Sequence, residues 1–138
     1  EPWRVLEEVG TAPPGPLGEH VARTIAVRSR LAAMSDDDVA ALHPVAAPDV
    51  TQERHLRPGA SDPTVILIRQ GGGLGRAVRA DTALAALVDV ADGELSVAQI
   101  AGAVAALTGR TGAGAEALRA DLVAATRALA GDGFLTLR

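Results

Sequence analysis

Asp81–Arg138, DTALAALVDVADGELSVAQIAGAVAALTGRTGAGAEALRADLVAATRALAGDGFLTLR, decides the fold. It reads as three short helices closing on a strand. The first begins at Asp81 or Thr82, either of which can cap a helix N-terminus. Its apolar residues Leu84, Leu87, Val88 and Ala91 recur at i, i+3, i+4 and i+7, the spacing of one helical face. Asp92-Gly93 stops it, because glycine takes the left-handed conformation at low cost. The second helix carries an S-x-x-Q capping box in Ser96 and Gln99, with Leu95 and Ile100 placed as a hydrophobic staple. Ile100, Ala103, Val104 and Leu107 form its expected buried face, and Gly109 ends it. The third helix buries Leu118, Leu122, Val123, Ala125 and Leu129. Gly131-Asp132-Gly133 breaks it, and Phe134–Leu137 forms the strand. Helices this short need one another's apolar stripes to be stable.

Upstream of that module lies the β part of the chain. Val50–Leu56 is a candidate strand, Arg57-Pro58-Gly59 a turn, and Val65–Ile68 a β-branched run that reads as the strongest strand. Gly71–Gly75 turns the chain and Arg76–Ala80 returns antiparallel. Before it, Trp3–Val9 reads as a short strand, Thr11–Pro16 as a proline-rich connector, and Leu17–Met34 as a helix with Val21, Ile25 and Leu31 on or near one face. Ser35 caps a short helix over Asp36–Leu42, whose first-turn carboxylates suit the helix dipole. Pro44 and Pro48 then break the chain. The expected fold is α+β: residues 1–49 form a proline-containing connector and helical extension. Residues 50–138 form a winged-helix-like domain, a three-stranded antiparallel sheet followed by three helices and a short final strand.

Composition excludes several chemistries. The 138 residues contain no cysteine, so disulfides and thiolate metal sites are ruled out. The three histidines, His20, His43 and His55, lack metal-ligand spacing. Asp36, Asp37 and Asp38 are successive on a helix and diverge by about 100° each, so capping explains them better than metal binding. The Gly71–Gly75 cluster lacks the lysine and the following helix of a phosphate loop. Ser29, Ser35, Ser61 and Ser96 have no nucleophile context. No catalytic, cofactor-binding or metal-ligating residue is therefore assigned. No apolar run is long enough to span a bilayer and no signal peptide is visible, which points to the cytoplasm and away from a membrane partner. Glu1 is not an initiator methionine, so the chain reads as a processed product or a piece of a longer one.

Charge is uneven along a chain of net charge −4. All 13 basic residues are arginine, and only residues 51–80 are net positive. Arg54, Arg69, Arg76 and Arg79 are thus the candidate partner-binding residues, with Arg57 nearby. Strand alternation allows only a subset to share a face, expected to be Arg54, Arg69 and one of Arg76 or Arg79. Their guanidinium groups suit ribosomal RNA or an acidic protein surface. The third helix sets Arg119 and Arg127 against Glu116 and Asp121, a weak basis for tracking DNA phosphates.

Leu56-Arg-Pro-Gly59, Leu67-Ile-Arg-Gln70, Gly73-Leu-Gly-Arg76, Asp81-Thr-Ala-Leu-Ala85 and Asp92-Gly-Glu-Leu95 resemble the tail of certain actinobacterial S-adenosylmethionine-dependent methyltransferases. Those proteins are similar to the small-domain methyltransferases of release-factor glutamine or ribosomal RNA. The resemblance implies a non-catalytic C-terminal domain that contributes substrate binding or domain packing. Its partner would be an upstream catalytic domain of the same polypeptide that binds S-adenosylmethionine. This chain has neither the acidic-Gly-x-Gly cofactor loop nor the Asn-Pro-Pro-Tyr motif, so no family catalytic residue transfers and the chain itself is assigned no cofactor. Three strands before three helices, with Asp92-Gly93-Glu94 leading into Ser96-Val-Ala-Gln-Ile100, are also similar to PqqD-type domains. That alternative implies a peptide-binding module that adds a strand to a sheet edge. A winged-helix DNA-binding protein is the other alternative.

Overall fold

A computed structural model describes residues 16–72 and 75–138. The expected strand over Trp3–Val9, the connector from Thr11, Gly73-Leu74 of the glycine turn and the side chain of His20 lie outside the described residues. The elements in chain order are α1 (Pro16–Ala32), α2 (Asp36–Ala40), β1 (Pro44–Ala46), β2 (Val50–His55), β3 (Val65–Gln70), β4 (Ala77–Ala80), α3 (Thr82–Asp89), α4 (Val97–Leu107), α5 (Gly112–Gly131) and β5 (Leu135–Leu137). The fold is α+β, with two small antiparallel sheets, β2–β3–β4 and β1–β5.

Local chemistry accounts for three of the five helix starts among the described residues. Asp81 caps α3 by accepting the Leu84 N–H at 2.8 Å. Ser96 and Gln99 close the capping box of α4 at 3.1 and 2.8 Å. Ser35 and Asp38 form a second box on α2 at 3.1 and 3.2 Å. Each box satisfies two N–H groups that a helix start would otherwise leave orphaned. Gly93 takes φ +89°, with Val45 close against it, so a side chain there would be both strained and crowded.

The proline at Pro44 begins a strand instead of breaking one. Pro44 faces Leu137, and the flanking hydrogen bonds are made by His43, whose N–H donates to Arg138 at 2.7 Å and whose carbonyl accepts from Arg138 at 2.9 Å. A proline at the first position of a strand forfeits no ladder bond there. On its other side β1 meets Asp92: the Ala46 N–H donates to Ala91 at 2.8 Å and the Gly93 N–H to Pro44 at 3.0 Å. The final strand therefore pairs with residues that precede β2, outside the three-stranded sheet.

One apolar cluster joins the parts. Phe134, Ile68, Leu87, Ile100, Val39 and Val97 are its largest fully buried apolar side chains, and Leu31, Val39 and Ala40 of the helical extension belong to it. Both α1 and α2 pack on α5, which also receives α4. The face of α1 departs from expectation: Leu31 is buried, whereas Val21 and Ile25 are exposed. On α4 the buried set is Val97, Ile100, Ala101, Val104 and Ala105. Successive residues turn about 100°, so this face centres on Val97 and Val104 and leaves Ala103 and Leu107 on the flank. Leu107 is 88 % exposed.

Candidate functional site

Strand register decides which hairpin arginines meet. On β3, Ile66, Ile68 and Gln70 are buried, while Val65, Leu67 and Arg69 turn the other way. Arg54 is opposite Ile66 and so lies on the inner side of the sheet; Arg79 is opposite Leu67 and shares the outer side with Arg69. The structure brings Arg69 and Arg79 together and separates Arg54 from both. Arg76 lies just before β4, at the end of the hairpin turn.

Three of these four arginines already have carboxylate partners. Arg54 donates to Asp89 of α3 at 3.3 Å and to Gln52 at 2.8 Å, and Gln52 holds the other Asp89 oxygen at 3.1 Å. Arg69 donates to Glu53 at 2.7 Å. That hydrogen bond holds the Glu53 carboxyl below its usual range, with a further pull from His55. Arg76 and Arg28 both reach Asp132, at 2.5 and 2.7 Å. Buried Gln70 completes that junction by donating to the Asp132 carbonyl and accepting the Arg76 N–H. Only Arg79 of the four has no ion pair among the described residues.

Arg79 also stands at the mouth of a groove of about 530 Å³ between the end of β4 and helices α3, α4 and α5. Half-buried Leu84, Ala83 and Ala125 supply its apolar wall over the buried Val104, Leu118 and Leu122, and Leu107 projects from its rim. Arg110, Asp81 and Asp121 complete the charged margin. Sequence reasoning missed this groove. The only available signal was the run of alanines on α4, which leaves open which way the helix faces.

The two arginines of α5 are engaged within the chain, whereas Glu116 and Asp121 are exposed. Arg119 pairs with Asp37 at 3.2 Å. Arg127 holds Asp36 at 2.9 Å and donates to the main-chain oxygens of Leu31 and Met34. Asp36, Asp37 and Asp38 thus diverge, two to α5 and one to its own capping box. His43 Nδ1 lies 3.0 Å from the Gly93 carbonyl oxygen, and His55 Nε2 lies 3.5 Å from Glu53. Among the described residues no three His, Asp or Glu side chains gather as a metal-ligand group. No described helix is long and apolar enough to cross a membrane. No family model, curated protein or solved structure matches the chain.

Proposed function

We propose that this chain is a non-catalytic, winged-helix-like domain of an S-adenosylmethionine-dependent methyltransferase of the cytoplasm, and that it serves substrate binding or domain packing. In this reading α3, the Asp92 bridge, α4, α5 and β5 are the winged-helix elements. Strand β1, taken from earlier in the chain, fills the place between Asp92 and β5.

The observation that carries the packing role is the fastening of residues 16–46 to the later module. Strand β1 is hydrogen-bonded on both sides, α1 and α2 lie on α5, and Arg127 bridges α5 to the end of α1. Residues 16–46 are thereby part of the same packed body as the later module, which is the basis for a packing role toward an upstream catalytic domain. Substrate contact falls to the outer face of β2–β3–β4, chiefly to Arg79, which has no ion pair among the described residues, with Arg69, held by Glu53, on the same side as half-buried Leu67. Guanidinium groups there suit ribosomal RNA or an acidic protein surface. DNA reading is disfavoured, because Arg119 and Arg127 of α5 are engaged within the chain.

Two measurements test this. Calorimetric titration of the 138-residue chain with S-adenosylmethionine is expected to show no binding. In the polypeptide encoded by the whole reading frame, removing residues 50–138 should lower methyl transfer while leaving cofactor affinity intact. Micromolar cofactor binding by the chain alone, or a whole polypeptide without cofactor-dependent methyl transfer, refutes the proposal.

A further inference from the structure

Leu107 and the groove beside it make one surface feature. A single exposed leucine is ordinary on a protein surface. Here the exposed side chain borders an apolar hollow of about 530 Å³, a knob next to a hole. The hollow lies within the size range of pockets that hold ligands or anchor side chains.

The margin of the groove says what kind of occupant fits. It carries Arg79 and Arg110 on the one hand and Asp81 and Asp121 on the other. Neither arginine has an ion pair among the described residues, and Asp121 has none either. An acidic peptide would meet Asp121 and Asp81; a basic one would meet both guanidinium groups. A surface bearing both signs, with a protruding apolar group beside an apolar recess, is complementary to itself. That is the requirement of a two-fold contact, in which residue i of one copy meets residue j of the other and the reverse.

We propose that this face is a homodimer contact. Leu107 of each copy enters the other's groove against half-buried Leu84, Ala83 and Ala125, and Arg110 of one copy faces Asp121 of the other. This does not depend on the methyltransferase reading.

Sedimentation velocity of the chain across a wide concentration range tests it. The chain should show a reversible monomer–dimer equilibrium. Leu107→Glu should weaken dimerisation by at least about thirtyfold, the loss expected of a buried apolar anchor. Its melting curve at low concentration should match the parent's, since Leu107 makes no buried contact in one copy. Arg110→Asp and Asp121→Arg should each weaken the dimer about tenfold or more, and the double reversal should recover it. A monomer at every concentration, as expected if a peptide or another protein fills the groove, overturns the proposal. A dimer indifferent to Leu107→Glu and to both charge reversals overturns it equally.

Discussion

Arg127→Ala tests how the helical extension is held. The guanidinium donates to the main-chain oxygens of Leu31 at 2.5 Å and Met34 at 2.7 Å, and to Asp36 at 2.9 Å. The Leu31 carbonyl lies in the last turn of α1 and also accepts the Met34 N–H at 3.1 Å, and the Met34 carbonyl lies two residues past the helix end, where the dipole is negative. Bonds from a charged donor contribute about 1.5–3 kcal/mol each when protected from water. The Arg127 side chain is only 25 % exposed, whereas Asp36 is 79 % exposed. The ion pair therefore adds about 0–0.5 kcal/mol. Water can reach the freed carbonyls in part, which trims the bond contribution. The expected loss is about 2–3 kcal/mol, or roughly 8–12 °C in Tm for a chain of this size. Arg119→Ala is the control: its partner Asp37 is 94 % exposed, and the expected loss is below about 0.5 kcal/mol. Arg127→Lys should recover only part, because an ammonium cannot span both carbonyls and the carboxylate. Urea unfolding followed by circular dichroism measures all three. Equal midpoints for the Arg127→Ala and Arg119→Ala variants would refute the reasoning.

Ser96→Ala should cost about 0.5–2 kcal/mol through loss of the capping box, read as a lower urea midpoint at unchanged slope. Phe134→Ala, at a fully buried position, should cost about 3–5 kcal/mol, and a loss under about 1 kcal/mol would show that the core collapses around the gap. In an NMR titration the Glu53 carboxyl should protonate at lower pH than in the urea-unfolded chain, and Arg69→Gln should raise its midpoint. Because the folded pKa is the lower one, the stability it contributes is present above the unfolded pKa and lost as pH falls through the folded value. A Glu53 midpoint indifferent to Arg69→Gln would show that the hydrogen bond does not hold in solution.

What was legible in the sequence was local. The Ser96–Gln99 box and the Ser35 cap each rest on residues no more than three apart, so type and spacing suffice to place them; the reciprocal bond from Asp38 was not read. The Val65–Ile68 run needed only its own composition to read as strand. Strand β1 was not legible, because its stability comes from Asp92 and β5, far along the chain, and proline hid it. The facing of α4 was obscured by alanine, which is apolar on every side of the helix and small enough to be buried or exposed at little cost. The hairpin arginines were found by count, but their separation follows from register: Arg54 opposite Ile66 places it against α3, away from Arg69.

The position of β1 bears on the order in which the chain can fold during synthesis. Strands β2, β3 and β4 are neighbours in sequence and can pair as soon as they leave the ribosome. Strand β1 is made before them, yet Val45 must wait for Asp92 on one side and Thr136 on the other. Pairing across so much intervening chain is slow, since the entropy of closing the loop comes before the contacts that offset it. The earliest of the described strands to be translated is thus among the last to be sealed, and residues 16–46 are locked only when β5 arrives. Hydrogen exchange would register this as a shared opening of the His43, Ala46 and Arg138 amides. Independent exchange at the three would show that the two sides of β1 are not one cooperative unit.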